Sequence, residues 1–157
     1  MAIDDSGGVS KNGSMPWPKN QIDLKWFKDH TLNNVVIMGK LTWLDPFMPT
    51  PLKNRINILI TNQNKNEFPG ANEYISGNLI TNIKIILKKY ENKDKYIIGG
   101  PKILDQLFEI IDEFYLTRIY GNFNCDKFIN IEKISNSMQL IKKIKNDHSC
   151  HFEIWKK

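Results

Sequence analysis

Three short apolar runs constrain this chain more than any other feature. Val35-Val36-Ile37-Met38 ends at Gly39. Ile56-Asn57-Ile58-Leu59-Ile60-Thr61 gives way to a polar stretch. Tyr96-Ile97-Ile98 ends at Gly99-Gly100-Pro101. None alternates apolar with polar residues, so each reads as a strand buried on both faces, the signature of a parallel sheet. The segments between them carry helical patterns. Residues 23–32 place Leu24, Phe27 and Thr31 near helical spacing, and residues 40–45 begin a helix that Pro46 stops. Residues 79–90 set Leu79, Ile83, Ile86, Leu87 and Tyr90 on one face, and residues 102–111 read as helix. Residues 113–120 and 150–156 read as strands rich in aromatic and apolar residues, residues 62–70 as a polar loop, and residues 4–22 as one long loop. The order β-α-β-α-β-α-β plus a final strand pair predicts an α/β fold. Its central sheet is mostly parallel and twisted, with helices on both faces and an antiparallel C-terminal edge. Ligands of such sheets bind beyond the C-terminal strand ends, so residues just after strands are the ones to examine.

The chain has 157 residues, which predicts one domain over 1–157. Its 41% hydrophobic and 25% charged residues match an ordinary globular composition. No apolar run approaches the ~18–20 residues of a membrane span, and Met1-Ala2-Ile3-Asp4-Asp5 lacks the features of a signal peptide, so a cytoplasmic chain is expected. The net charge of +5 is spread along the chain without a basic stripe or nucleic-acid module, which suits an anionic small molecule better than nucleic acid. Cys125 and Cys150 read as free thiols, and His30, His148 and His151 lack metal-ligand spacing, so no metal site is expected. The 22 basic residues include only two arginines, Arg55 and Arg118, so an Arg carries more information here than any one Lys.

Ile98-Gly99-Gly100-Pro101-Lys102 is the clearest candidate site. Two glycines at a strand end let a ligand approach the backbone, and a helix opening there offers free N–H groups to phosphate; the alternative is a plain tight turn. Met38-Gly39-Lys40-Leu41-Thr42 repeats the arrangement without the upstream glycine of a phosphate-binding P-loop. Two such ends in one sheet fit an extended ligand with more than one phosphate. Asp23, followed by Leu24, Trp26 and Phe27, reads either as a helix cap or as a carboxyl in an apolar pocket, able to bind and help protonate a nitrogen heterocycle. Met15-Pro16-Trp17-Pro18 suits a lid hinge or a loop anchor. Arg55 suits bidentate binding of a carboxylate or an ordinary surface position. Thr117 faces the sheet end or satisfies backbone.

In order and spacing these segments resemble dihydrofolate reductase along almost the whole chain. The matching stretches are Met15-Pro16-Trp17, Asp23-Leu24-x-Trp26-Phe27-Lys28, Thr31-Leu32-Asn33, and Val36-Ile37-Met38-Gly39-Lys40-x-Thr42-Trp43. They continue with Pro51-Leu52-x-x-Arg55, Ile98-Gly99-Gly100, Tyr115-Leu116-Thr117 and Phe152-Glu153-Ile154. The resemblance implies NADPH-dependent reduction of 7,8-dihydrofolate to 5,6,7,8-tetrahydrofolate, with hydride passing to pterin C6 and a proton to N5. It implies a monomer inhibited by antifolates. It implies that Asp23, Trp17 and Thr117 serve catalysis. Ala2, Ile3, Leu24, Phe27, Leu52, Arg55, Ile98 and Thr117 would contact substrate, with Arg55 on the glutamate α-carboxylate. NADPH would lie against Ala2, Val9, Ser10 and Met15, against Gly39, Lys40, Leu41, Thr42, Thr61 and Asn62, and against Ile98, Gly99, Gly100, Pro101, Lys102 and Ile103.

The chain departs from the family pattern in places. Ser10 replaces a usual Gly, Leu41 stands where a polar phosphate contact is common, and Asp45 replaces a usual Ser. The first strand appears truncated, with only Met1 before Ala2. Two alternatives therefore stay open: a same-fold pyrimidine reductase of riboflavin synthesis, which Asp23 and Arg55 argue against, and a truncated, inactive folate- or nucleotide-binding remnant.

Overall fold

A computed structural model describes residues 1–157. In chain order the elements are β1 (Ala2–Ile3), β2 (Gly8–Ser10), α1 (Gln21–Thr31), β3 (Val35–Gly39), α2 (Lys40–Trp43) and β4 (Ile56–Ile60). They continue with β5 (Glu73–Ile75), α3 (Leu79–Lys89), β6 (Lys95–Gly99), α4 (Pro101–Leu107) and β7 (Glu113–Ile119). The last are β8 (Lys127–Phe128), α5 (Ile131–Ser137), β9 (Gln139–Lys145) and β10 (Cys150–Lys156). The chain divides into two units, one of residues 28–104 and one of residues 1–27 with 105–157, and α1 and α4 run from one to the other.

The unit of residues 28–104 holds a four-stranded, wholly parallel sheet in the order β5-β4-β3-β6. Every residue of β3 is buried, and Ile58 and Leu59 of β4 are fully so, which is why β3 reads as a continuous apolar run, whereas Tyr96, Ile97 and Ile98 of β6, expected to be buried on both faces, are only half-buried. Helix α3 buries Ile83 and Ile86, while Asn78 caps its start by accepting from the Thr81 N–H at 3.1 Å. Lys88 and Lys89 in its last turn complement the helix dipole, and Lys89 pairs with Glu73 of β5.

The other unit holds the antiparallel edge. Its sheet runs β1-β7-β10-β9, with β1 parallel to β7 and the remaining pairs antiparallel. In this register Ala2 and Phe152 lie on either side of Thr117, so their side chains share one face of the sheet. Trp17, Ile119, Cys150 and Phe152 form the core on that side, and Trp26 of α1 stacks on Phe152 with ring centroids 4.1 Å apart. The mostly parallel sheet with an antiparallel C-terminal edge is thus found, the parallel strands forming a sheet of their own.

Several local expectations change. The stretch 4–22 is not all loop, because Gly8–Ser10 pairs with Lys127–Phe128 in a small antiparallel ribbon. Gly8 is needed there, since a Cβ at this position would lie 2.4 Å from the Cys125 Cβ. Buried Asp4 ties the ribbon's base together. Its Oδ1 accepts from Ser6 N–H, Ser6 O–H and Gly8 N–H at 2.9, 2.7 and 2.8 Å, and its Oδ2 from Phe123 N–H at 3.1 Å. Strands β5 and β9 and helix α5 fall in segments that carry no sequence pattern of their own. The first helix begins at Gln21 because Asn20 Oδ1 accepts from the N–H groups of Ile22 and Asp23, both at 3.0 Å. Asn20, not Asp23, is therefore the cap, and the capping explanation of Asp23 falls away.

Candidate functional site

Asp23 sits in the first turn of α1, half-buried, with Leu24 and Phe27 also half-buried on the same helix. Phe27 is one turn on from Asp23 and therefore shares its face. Trp26 fixes where this helix lies, because it contacts both Phe152 and Tyr115, whose ring is 6.4 Å away. Tyr115, Thr117 and Ile119 alternate along β7 and so point to one side, the side on which α1 packs. Thr117 is 1% exposed, and its backbone N–H donates to the Met1 carbonyl at 2.9 Å. The fold thus gathers Asp23, Thr117, Ala2 and the Trp17 core around one sheet face. Trp17 is buried edge-on against Phe123, centroids 5.8 Å apart, and Met15 packs on the same cluster. Ile3 is fully buried, Val9 is buried in β2, and Ser10 is half-buried beside it.

A second group collects at the C-terminal ends of three adjacent parallel strands. Gly39 of β3 pairs with Ile60 of β4, and Met38 pairs with Gly99 of β6. The register slips between Ile37 and Met38, so β6 carries one more residue than β3 across this step, Ile98. Bulges of this kind re-aim backbone next to functional sites. Gly99 has φ of 130°, open essentially to glycine alone. A Cβ at Gly39 would come within 3.0 Å of Ile103 Cγ1, whereas one at Gly100 would meet only Thr42 Oγ1, at 3.7 Å. The backbone at Gly100 is therefore approachable, with the Thr42 hydroxyl beside it. Pro101, Lys102 and Ile103 open α4 there, and Lys40 begins α2 next to Gly39. Leu41 is 68% exposed. Thr61 and Asn62 follow β4 at the same sheet end. The Thr61 hydroxyl accepts from Gln63 N–H at 3.1 Å, and Asn62 Oδ1 accepts from Gly77 N–H at 3.1 Å. The two glycine-marked ends read from the sequence are neighbours.

Arg55 and Leu52 lie on the turn before β4. Arg55 Nε and Nη2 both donate to Thr31 Oγ1 at 3.2 Å, and Nη1 donates to the Lys53 carbonyl at 2.8 Å. A guanidinium has five N–H groups, so these three bonds leave one on Nη1 and one on Nη2 to meet a carboxylate. Partial burial lowers the guanidinium pKa from its ordinary value. Leu52 is buried. Thr31 and Asn57 organise this turn, and the sequence does not mark either as a site residue. Asn57 does carry a signal, a lone amide inside an apolar strand.

A sequence model of the dihydrofolate reductase family matches residues 1–157. Dihydrofolate reductase of Sus scrofa is 31% identical over 150 residues, covering 85% of this chain and 80% of that one. A protein of Mycoplasmoides gallisepticum named segregation and condensation protein A is 31% identical over 124 residues, 79% of this chain, and the match spans 20% of that protein's length. Among solved structures, a dihydrofolate reductase from Enterococcus faecalis, complexed with NADP(H) and RAB-propyl, aligns with a TM-score of 0.79 at 23% identity. It covers 99% of this chain and 92% of its own. These likenesses favour this family over the pyrimidine reductases of the same fold. No helix is long and apolar enough to cross a membrane. The chain belongs to the dihydrofolate reductase family, NADPH-dependent oxidoreductases.

Proposed function

We propose that this chain, acting as one catalytic domain, reduces 7,8-dihydrofolate to 5,6,7,8-tetrahydrofolate with NADPH. The observation that carries the reading is the placement of Asp23. It is a half-buried carboxylate one turn before an aromatic face, on a helix fixed by Trp26 over the strand that bears Thr117. Asp23 holds the pterin through its amino group and ring nitrogen, and assists protonation at N5 through water rather than by direct contact. Thr117 supports that carboxylate and a bound water, and Trp17 orders water at the same face. Ala2, Ile3, Leu24, Phe27 and Ile98 wall the ring, and Leu52 packs against the benzoyl group. The free fork of Arg55 takes the α-carboxylate of the glutamate tail.

The strand-end residues fit a dinucleotide phosphate. Gly100 presents open backbone with the Thr42 hydroxyl beside it, and Lys40 and Lys102 add positive charge. Gly39, Leu41, Thr61, Asn62, Gly99, Pro101 and Ile103 shape that cradle, while Val9, Ser10 and Met15 cover the nicotinamide end. NADPH, when bound, supplies the hydride, and the protein supplies orientation and electrostatics. On this reading the chain is a cytoplasmic monomer inhibited by antifolates.

The test is NADPH oxidation by the purified chain, followed by absorbance, with and without dihydrofolate. Substrate-dependent oxidation blocked by methotrexate is expected. Folded protein that oxidises NADPH no faster with dihydrofolate present would overturn the reading.

A further inference from the structure

Asn57 is the one polar side chain in an otherwise apolar strand, and it is 2% exposed. Burying an amide there costs free energy unless every polar atom is paired. Its partners lie on the turn that carries Leu52 and Arg55. Oδ1 accepts from the Leu52 N–H at 2.8 Å, and Nδ2 donates to the carbonyls of Leu52 and Arg55 at 2.9 and 3.1 Å. One side chain thus saturates both backbone groups of Leu52 and grips the backbone of Arg55. The strand end is itself anchored, since Asn57 N–H donates to Asn72 Oδ1 at 2.7 Å and its carbonyl accepts from Asn72 N–H at 2.8 Å. The guanidinium is tied separately, to Thr31 and Lys53.

We infer that Asn57 is a positioning residue, which fixes Leu52 and Arg55 as one rigid unit and so sets affinity for the carboxylate-bearing tail of the substrate while leaving the hydride step alone. Thr31 holds the head of the arginine and Asn57 holds its root, so the two free N–H groups point in a direction the turn alone does not define. This rests on the dihydrofolate reading for the tail, but the packing argument stands on the turn itself.

Two variants separate the possibilities. Asn57→Asp keeps the shape and replaces the two amide donations with a charge facing carbonyl oxygens. Asn57→Ser shortens the reach without adding charge. Each is assayed at saturating NADPH with dihydrofolate and with 7,8-dihydrobiopterin, which has the reducible ring and no glutamate tail. KM for dihydrofolate should rise about ten- to hundredfold, the scale on which small misplacements act, with kcat and both constants for the tail-less substrate unchanged. In an Arg55→Ala background, Asn57→Ser should raise KM by less than it does alone, because part of its effect acts through the Arg55 contact and only the part through Leu52 remains.

Equal losses with both substrates, full additivity with Arg55→Ala, or unfolding of both variants would overturn the inference. A wild-type chain that reduces neither substrate would instead overturn the functional reading. Hydrogen exchange at Arg55 Nε–H, followed by NMR, then decides the positioning role. Faster exchange in Asn57→Ser supports it, and an unchanged rate overturns it.

Discussion

Asp4→Asn is a nearly isosteric change at a fully buried carboxylate, and its cost follows from the bonds described above. Oδ1 keeps its three donors. Oδ2 becomes an NH2 group facing the Phe123 N–H at 3.1 Å and the Cys125 thiol at 3.5 Å, so an acceptor is replaced by a donor. A hydrogen bond to a charged group is worth about 1.5–3 kcal/mol, and the long contact to sulfur adds little, so the loss is about 2–3 kcal/mol. For a domain of this size that lowers Tm by about 4–12 °C. The pH dependence adds a second handle. Burial pushes the Asp4 pKa upward, but the hydrogen bonds from Ser6, Phe123 and Gly8 outweigh it and hold the carboxyl below its ordinary 3.8. A folded-state pKa below the unfolded one gives stability that is present above the unfolded value and is lost as pH falls through the folded value. Thermal unfolding followed by circular dichroism at neutral pH and at pH about 3 or below should therefore show the gap between wild type and variant narrowing on acidification. The same substitution frees the neighbouring thiol. Burial and the Asp4 carboxylate push Cys125 up to about 11, and Asp4→Asn should speed its alkylation, read by mass spectrometry at that site. A variant as stable as wild type at neutral pH, or a gap that does not change with pH, would refute the reasoning.

Other substitutions probe other parts of the account. Arg55→Lys keeps the charge and loses the fork, so KM for dihydrofolate should rise by about 10–100-fold, the equivalent of one charge-assisted hydrogen bond, with kcat retained. Gly100→Ala leaves room for the fold, since the new methyl would meet only Thr42 Oγ1 at 3.7 Å, but it occupies the approach to the backbone. Its Tm should hold while its Kd for NADPH, measured by fluorescence titration, weakens. Gly8→Ala places a methyl 2.4 Å from Cys125 Cβ and should lower Tm by several degrees, on the scale of about 1–3 kcal/mol for overpacking.

What the sequence reveals depends on how far a residue's partners lie along the chain. Strand β3 is legible because burial on both faces writes itself as an unbroken apolar run; β4 interrupts its run only at Asn57, and β6, though half-buried, still carries Tyr96-Ile97-Ile98. Strand β9 is not, because its Gln-Leu-Ile-Lys-Lys-Ile-Lys run is almost wholly exposed and owes its conformation to pairing with β10. Residues 8–10 read as loop because their partner is more than a hundred residues away, at Lys127–Phe128. Gly39 and Gly99 stand out locally, but their adjacency depends on the pairing of β3 with β6, which no local pattern states. Asp23 is a similar case. Its residue type suits either a cap or a functional carboxylate, and only the Asn20 side chain decides against the cap. Asn57 shows the opposite limit, since the amide in an apolar strand is visible but the turn it holds is not.

Asp23 carries the proposed chemistry, and turnover of dihydrofolate by Asp23→Asn at neutral pH, with NADPH affinity and thermal unfolding followed on the same sample, tests it. Turnover should fall by about 10²–10⁴-fold, the usual share of a positioned acid–base group, with Tm and NADPH affinity retained. Unchanged turnover from a folded, NADPH-binding variant would contradict it.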